Sequence, residues 1–197
     1  MMQNNVKIAI TGGICSGKST VAKIICEQGY KVVSCDDIYC ELLQDSDFIN
    51  QLDKEFGNIK TDSGTLDRAK LSAIVFDDNS QLKKLNSLTH PKIMQRAMEQ
   101  MSGAGVHFCE VPLLFEGGFE KNFDNVIVVL RDEDERVNEL MNRNSIDKEQ
   151  ANLRLKAQFD YKNTDLTMYY VIHNNGDLLK LRKNTLCILD KLIKDYF

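Results

Sequence analysis

Five short apolar runs punctuate the chain, and longer amphipathic stretches separate them. Val6 to Ile10 reads as a buried strand, and Lys31 to Ser34 as a second. Val106 to Val111 and Asn125 to Leu130 give two more, and Tyr170 to His173 a fifth. Between the first two, Lys18 to Gln28 carries Val21, Ile24 and Ile25 at helical spacing, with Gly29 placed as a stop. Strands interleaved with helices predict βαβ units, hence an α/β fold: a parallel five-stranded sheet with helices on both faces.

The stretch from about Asp45 to Gly103 breaks this rhythm. It is charged and helix-rich, with Leu66, Leu71, Ile74, Val75, Phe76, Leu82, Leu85 and Leu88 at mixed i+3 and i+4 spacings. It reads as a helical insertion beside the sheet, with those side chains as its core. His90-Pro91 is expected to close one of its helical runs. The organisation expected is one domain, with its core at about 1–44, 104–130 and 159–197. The helical region takes about 45–103, and a further helical segment about 131–158.

Composition narrows the class. The chain has 197 residues, 43% hydrophobic and 27% charged, which fits one globular domain able to bury a core. A net charge of −4 does not suggest a general nucleic-acid binder, since such domains show a clustered basic excess. An anion site in such a protein needs its positive charge concentrated locally. The six cysteines show no C-x-x-C spacing and no secretory segment precedes them, so the thiols are expected reduced and the protein cytoplasmic. His90, His107 and His173 are scattered, without metal-ligand spacing. No apolar run approaches the roughly 18 residues of a membrane span. Nothing marks an obligate protein partner.

The chemistry concentrates at Gly12-Gly13-Ile14-Cys15-Ser16-Gly17-Lys18-Ser19, which matches G-x-x-x-x-G-K-[ST] between a strand and an amphipathic helix. The glycines let the backbone curl around an anion without Cβ clashes. Amides then point inward, and the following helix adds its positive end. Lys18 can reach the β- and γ-phosphates of a nucleoside triphosphate, and the Ser19 hydroxyl can sit on Mg²⁺.

Further candidates lie at the ends of later strands, where open parallel sheets bind ligands. Asp36 and Asp37 follow the second strand. Either could accept the proton of an attacking hydroxyl or help to place Mg²⁺, and either could equally be a helix N-cap. Arg131, Arg136, Arg143 and Arg154 follow the fourth strand; Arg136 and Arg143, seven apart, share a helix face. Such a group suits a helical lid that brings positive charge to a bound triphosphate. Glu116 closes the run Glu110-Val111-Pro112-Leu113-Leu114-Phe115-Glu116, either at a substrate edge or as a structural turn.

In combination these residues resemble the dephospho-coenzyme A kinase family over nearly the whole chain. The match runs through Thr11 to Thr20, Asp36, Leu66-Asp67-Arg68, Val75-Phe76, Leu85-Asn86 and His90-Pro91. It resumes at Val111 to Glu116, Arg143, Gln158 and Ile172 to Gly176. The resemblance implies ATP-dependent phosphorylation of the ribose 3′-hydroxyl of dephospho-coenzyme A, with Mg²⁺. It makes Asp36 the base and lines the acceptor side with Arg68, His90, Pro112, Leu113, Leu114 and Glu116. It makes Arg143 a phosphate clamp on the lid. Gly13 to Thr20 would hold the nucleotide, with Asn175 and Gly176 near the adenine. The chain departs from the family at Cys15, usually glycine, and at Ser34, Cys40, Glu139 and Met168-Tyr169. A guanine-type switch would need N-K-x-D and D-x-x-G, and the chain has neither. Another small-molecule or nucleotide P-loop kinase is the first alternative, and a nucleotide-dependent switch or binding module ranks below it.

Overall fold

The structure, a computed structural model, describes residues 5–196, and for Phe76 and Asp77 the backbone alone. The expected core role of Phe76 and the start of the polar N-terminus therefore lie outside the described residues. Contacts gather the chain into two compact units, one made of Met1–Val33 with Met101–Phe197, the other of Ser34–Gln100.

The first unit carries the five expected strands, apart from Ser34 at the end of β2: β1 (Asn5–Thr11), β2 (Val32–Ser34), β3 (Gly105–Glu110), β4 (Asn125–Leu130) and β5 (Tyr170–His173). Their order in the sheet is β2-β3-β1-β4-β5. The central strand β1 pairs in parallel with β3 and β4, and β4 with β5. Ile8 and Ile10 have no exposed surface, which is why β1 reads as continuous apolar sequence. The register sets Ile10 opposite both Glu110 and Ile127, so the ends of β1, β3 and β4 lie side by side.

Helix α1 (Lys18–Glu27) buries Val21, Ile24 and Ile25 against this sheet. The last helix of the chain (Leu178–Tyr196) adds Leu181, Leu189 and Leu192 to the same core. A smaller apolar cluster joins the two helices after β4, Glu133–Asn144 and Lys148–Lys156, through Val137, Leu140, Ala151 and Leu155. Ile14 and Cys15 pack onto that cluster, so the glycine-rich loop is rooted in it.

The second unit is helical. It comprises α2 (Cys35–Leu42), α3 (Ser46–Phe56), α4 (Arg68–Asp77) and α5 (Asn79–Gln100), making the two helices after β4 α6 and α7, and the last α8. Side-chain caps start three of them. Ser34 Oγ accepts from the Asp37 amide, Asp45 from Asp47 and Phe48, and Asp67 from Ala69 and Lys70. The cap of α2 is thus Ser34, and Asp36 and Asp37 sit exposed in its first turn. The N-cap alternative for either aspartate is corrected accordingly.

The expected break at His90-Pro91 is also corrected, because α5 runs through Pro91 to Gln100. Proline removes one helical N–H and crowds the carbonyl four residues back. Buried side chains on both sides, Leu85 and Thr89 before and Met94 and Ala97 after, hold the helix to one packing face regardless. Leu71, Val75 and Leu85 are buried as expected, and Phe48, Ile49, Leu52 and Ile59 complete that core. Among the described residues no helix is long and apolar enough to cross a membrane.

Ser34 is a cap in this arrangement, so Ser34→Ala should cost about 1 kcal/mol of stability. Urea denaturation followed by circular dichroism measures it; an unchanged midpoint would remove the cap assignment.

Candidate phosphate-binding site

Three glycines make the turn from β1 into α1 possible. Gly12 has φ 148° and Gly17 φ 98°, both left-handed. A Cβ on Gly12 would sit 2.2 Å from the Val129 carbonyl oxygen of β4. One on Gly13 would meet the Arg136 guanidinium at 2.2 Å, and one on Gly17 the Asn174 amide at 2.4 Å. The loop therefore lies bare-backboned against its surroundings. Cys15, at φ 59°, takes a left-handed conformation despite its side chain.

Neighbouring elements hold the loop in place. Asn174, just after β5, donates Nδ2–H to the Ser16 carbonyl at 2.9 Å. The Ile14 peptide is gripped at both ends. Its N–H donates to Gln158 Oε1 at 2.8 Å, and its carbonyl accepts from Arg136 Nε at 2.8 Å. Arg136 Nη2 closes the ring by donating to the same Gln158 oxygen at 2.9 Å. Tyr161 is buried beside Thr11, their hydroxyl oxygens 3.5 Å apart, and burial pushes the phenol up to about 12. It stays neutral at physiological pH.

What the loop leaves open fits an anion. Ser16 Oγ is buried with no hydrogen-bond partner among the described residues. Gly17 caps α1 without a side-chain acceptor, so no side chain competes for the positive end of the helix. Lys18 Nζ lies across the loop, donating to the carbonyls of Gly12 at 2.9 Å and Gly13 at 3.0 Å. Thr20 follows in the first turn of α1.

Ser19 Oγ donates to Glu110 Oε1 at 2.7 Å. Glu110, which sequence reasoning passed over in favour of Glu116, is thereby joined to the loop-bearing helix. The signal was available: a carboxylate ends β3, the strand beside the loop-bearing β1. Hydroxyl and carboxylate together offer two hard oxygens suited to Mg²⁺, which takes few protein ligands and completes its shell with water and phosphate. Among the described residues no cluster of three or more His, Cys, Asp or Glu forms a protein-only metal site.

A cleft of about 360 Å³ opens beside the loop, lined by Gly13, Ser16, Arg131, Asp132, Arg136 and Asn175 among others. Asn175 is fixed to Asp132 by two hydrogen bonds, from its Nδ2 to Oδ1 at 2.7 Å and to its Oδ1 from the Asp132 amide at 3.0 Å. Gly176 packs against Lys180.

Other expected residues lie elsewhere. Arg143 is exposed near the end of α6, where its Nε donates to Asn144. Glu116 accepts the Phe159 amide at 2.9 Å, which anchors the chain just after Gln158. Leu114 has no exposed surface and is core, whereas Leu113 is exposed and Pro112 half-buried. Asp36, Arg68 and His90 belong to the helical unit. There Arg68 opens α4, and its charge acts on Tyr39, whose phenol burial pushes up. Burial lowers the pKa of His90, which keeps the ring neutral at pH 7.

A parallel five-stranded sheet whose central strand runs into a glycine cradle and a helix defines a P-loop kinase fold. The sequence model described as dephospho-CoA kinase matches residues 6–180. A dephospho-CoA kinase of Fusobacterium nucleatum is 36% identical over 179 residues, covering 89% of this chain and 93% of its own. A crystal structure of a Thermus thermophilus protein is 32% identical with a TM-score of 0.80, over 95% of this chain and 97% of that one. A dephospho-CoA kinase from Campylobacter jejuni is 28% identical with a TM-score of 0.73, over 97% and 98%. The chain belongs to the dephospho-CoA kinase family.

The glycines should differ in their tolerance. Gly12→Ala meets backbone at a left-handed position and should destabilise by about 2–4 kcal/mol. Gly13→Ala meets only the movable end of Arg136 and should cost about 1 kcal/mol, the scale of the hydrogen bond it disturbs. Chemical denaturation of the two variants compares them, and equal losses would contradict this geometry.

Proposed function

We propose that the protein transfers the terminal phosphoryl group of ATP to the ribose 3′-hydroxyl of dephospho-coenzyme A, giving coenzyme A and ADP, in the cytoplasm. The observation that carries this reading is the Gly12–Ser19 cradle, with its unpartnered Ser16 hydroxyl, in a chain of this family.

Each residue then has a physical task. Lys18 exchanges two neutral carbonyl acceptors for charged phosphate oxygens, a gain because charge-assisted hydrogen bonds are roughly twice as strong. Ser16 Oγ finds the partner that it lacks. Ser19 and Glu110 would hold Mg²⁺, which would supply positive charge to the phosphates. Glu110 would then give up its hydrogen bond from the Ser19 hydroxyl. Asp36 takes the proton of the attacking 3′-hydroxyl as general base. Arg68 and His90 contact the acceptor, with Pro112, Leu113 and Glu116 near it. Arg143, on a lid of about 131–158, adds charge to the phosphates.

A panel of hydroxyl acceptors incubated with Mg-ATP tests the reading. ADP release with dephospho-coenzyme A no faster than with water would refute it, and release with a nucleoside or sugar acid instead would favour another small-molecule kinase. Asp36→Asn should cut turnover by about 10²- to 10⁴-fold while ATP binding survives. Unchanged turnover would remove Asp36 from the chemistry. Glu110→Gln should raise the Mg²⁺ concentration needed for half-maximal rate, and an unshifted Mg²⁺ dependence would return Glu110 to a purely structural role.

A further inference from the structure

Two guanidiniums of the segment after β4 are half-buried, and they are compensated differently. Arg131 pairs with Glu135 at 2.8 Å. Arg136 forms no ion pair among the described residues; its two hydrogen bonds go to the neutral oxygens of Ile14 and Gln158. Asp132 and Glu133 line the same cleft. Asp132 Oδ1, however, is engaged by Asn175, and Glu133 acts on Arg136 through space without a direct ion pair. Withdrawing a charge from water without a counter-charge costs several kcal/mol.

The placement of this cation is specific. A Cβ on Gly13 would meet its Nη2 at 2.2 Å, Cζ at 2.6 Å and Nη1 at 3.0 Å, so the guanidinium lies directly on the loop backbone. The cleft that it lines also receives Ser16, whose buried hydroxyl lacks a partner. A cation without a direct ion pair among the described residues and an unsatisfied hydroxyl thus border one space. Both are satisfied by the same class of ligand, a polyphosphate.

We infer that Arg136 is a triphosphate-binding residue, and that the phosphate chain of the nucleotide is its direct ion-pair partner. This rests on the phosphate-cradle half of the proposed function and not on the identity of the acceptor. The bond from Arg136 to the Ile14 carbonyl links its charge to the shape of the loop, so occupancy and loop geometry are set together.

Equilibrium binding without any acceptor tests this. Calorimetric titrations with ATP and with inorganic tripolyphosphate are run on the unsubstituted protein, Arg136→Lys and Arg136→Gln. Arg136→Gln should weaken both ligands by about 10- to 100-fold, the worth of a hydrogen bond to a charged group. Arg136→Lys, which keeps the charge, should lose less. Affinities within twofold of the unsubstituted protein, or equal losses in the two variants, would overturn the proposal and leave Arg136 as a loop clamp only. Should Arg136→Gln fail to fold, the guanidinium ¹⁵N resonance of Arg136 decides. Assigned by its disappearance in Arg136→Lys, it should shift when the unsubstituted protein is titrated with tripolyphosphate. A resonance that stays in place refutes the inference. A protein that binds triphosphate through Arg136 yet phosphorylates no dephospho-coenzyme A would sink the acceptor assignment and leave this one standing.

Discussion

A backbone that curls around an anion has few internal hydrogen bonds of its own, so it must be held open from outside. Several parts of the sheet-bearing unit meet that need. The carbonyl of Val129 in β4 abuts Gly12, Asn174 after β5 holds Ser16, and Arg136 with Gln158 grips Ile14. These supports come from separate parts of the chain, more than a hundred residues beyond the loop. They meet because β1 is central and its parallel neighbours end on the same side. The glycine motif supplies permission to bend; the sheet order supplies the mould.

The same logic resolves the charge problem of an acidic protein that receives a polyanion. With a net charge of −4, no broad positive surface is needed. Lys18 lies against loop carbonyls and Arg136 against the loop backbone, while Arg131 is neutralised by Glu135. Charge placed within a few ångströms in a partly desolvated cleft outweighs distant surface carboxylates, which water and salt screen.

Strands and the cradle were legible because their signals are local. An apolar run of four to seven residues and a fixed glycine spacing need no tertiary information. All five strands fell where the runs lay, and α1 began at Lys18. The loop's supports were not legible in that way. Arg136 could be seen only as one of four arginines, and Gln158 only as a family residue, because their meeting with Ile14 spans 122 and 144 residues of sequence. Glu110 went unremarked since its partner Ser19 is brought near by strand pairing, although its place at the end of β3 was a usable clue. Pro91 misled for the converse reason. The local rule against proline in a helix was overridden by buried side chains on either side of it.

Cys15 carries one more consequence. Its left-handed backbone costs about 1 kcal/mol relative to glycine, while its side chain covers the apolar cluster of α6 and α7, a gain of about the same size. Gain and loss nearly cancel. At position 15 glycine and a small side chain are therefore nearly equivalent for folding. A side chain in the middle of the cradle motif thus costs the fold little.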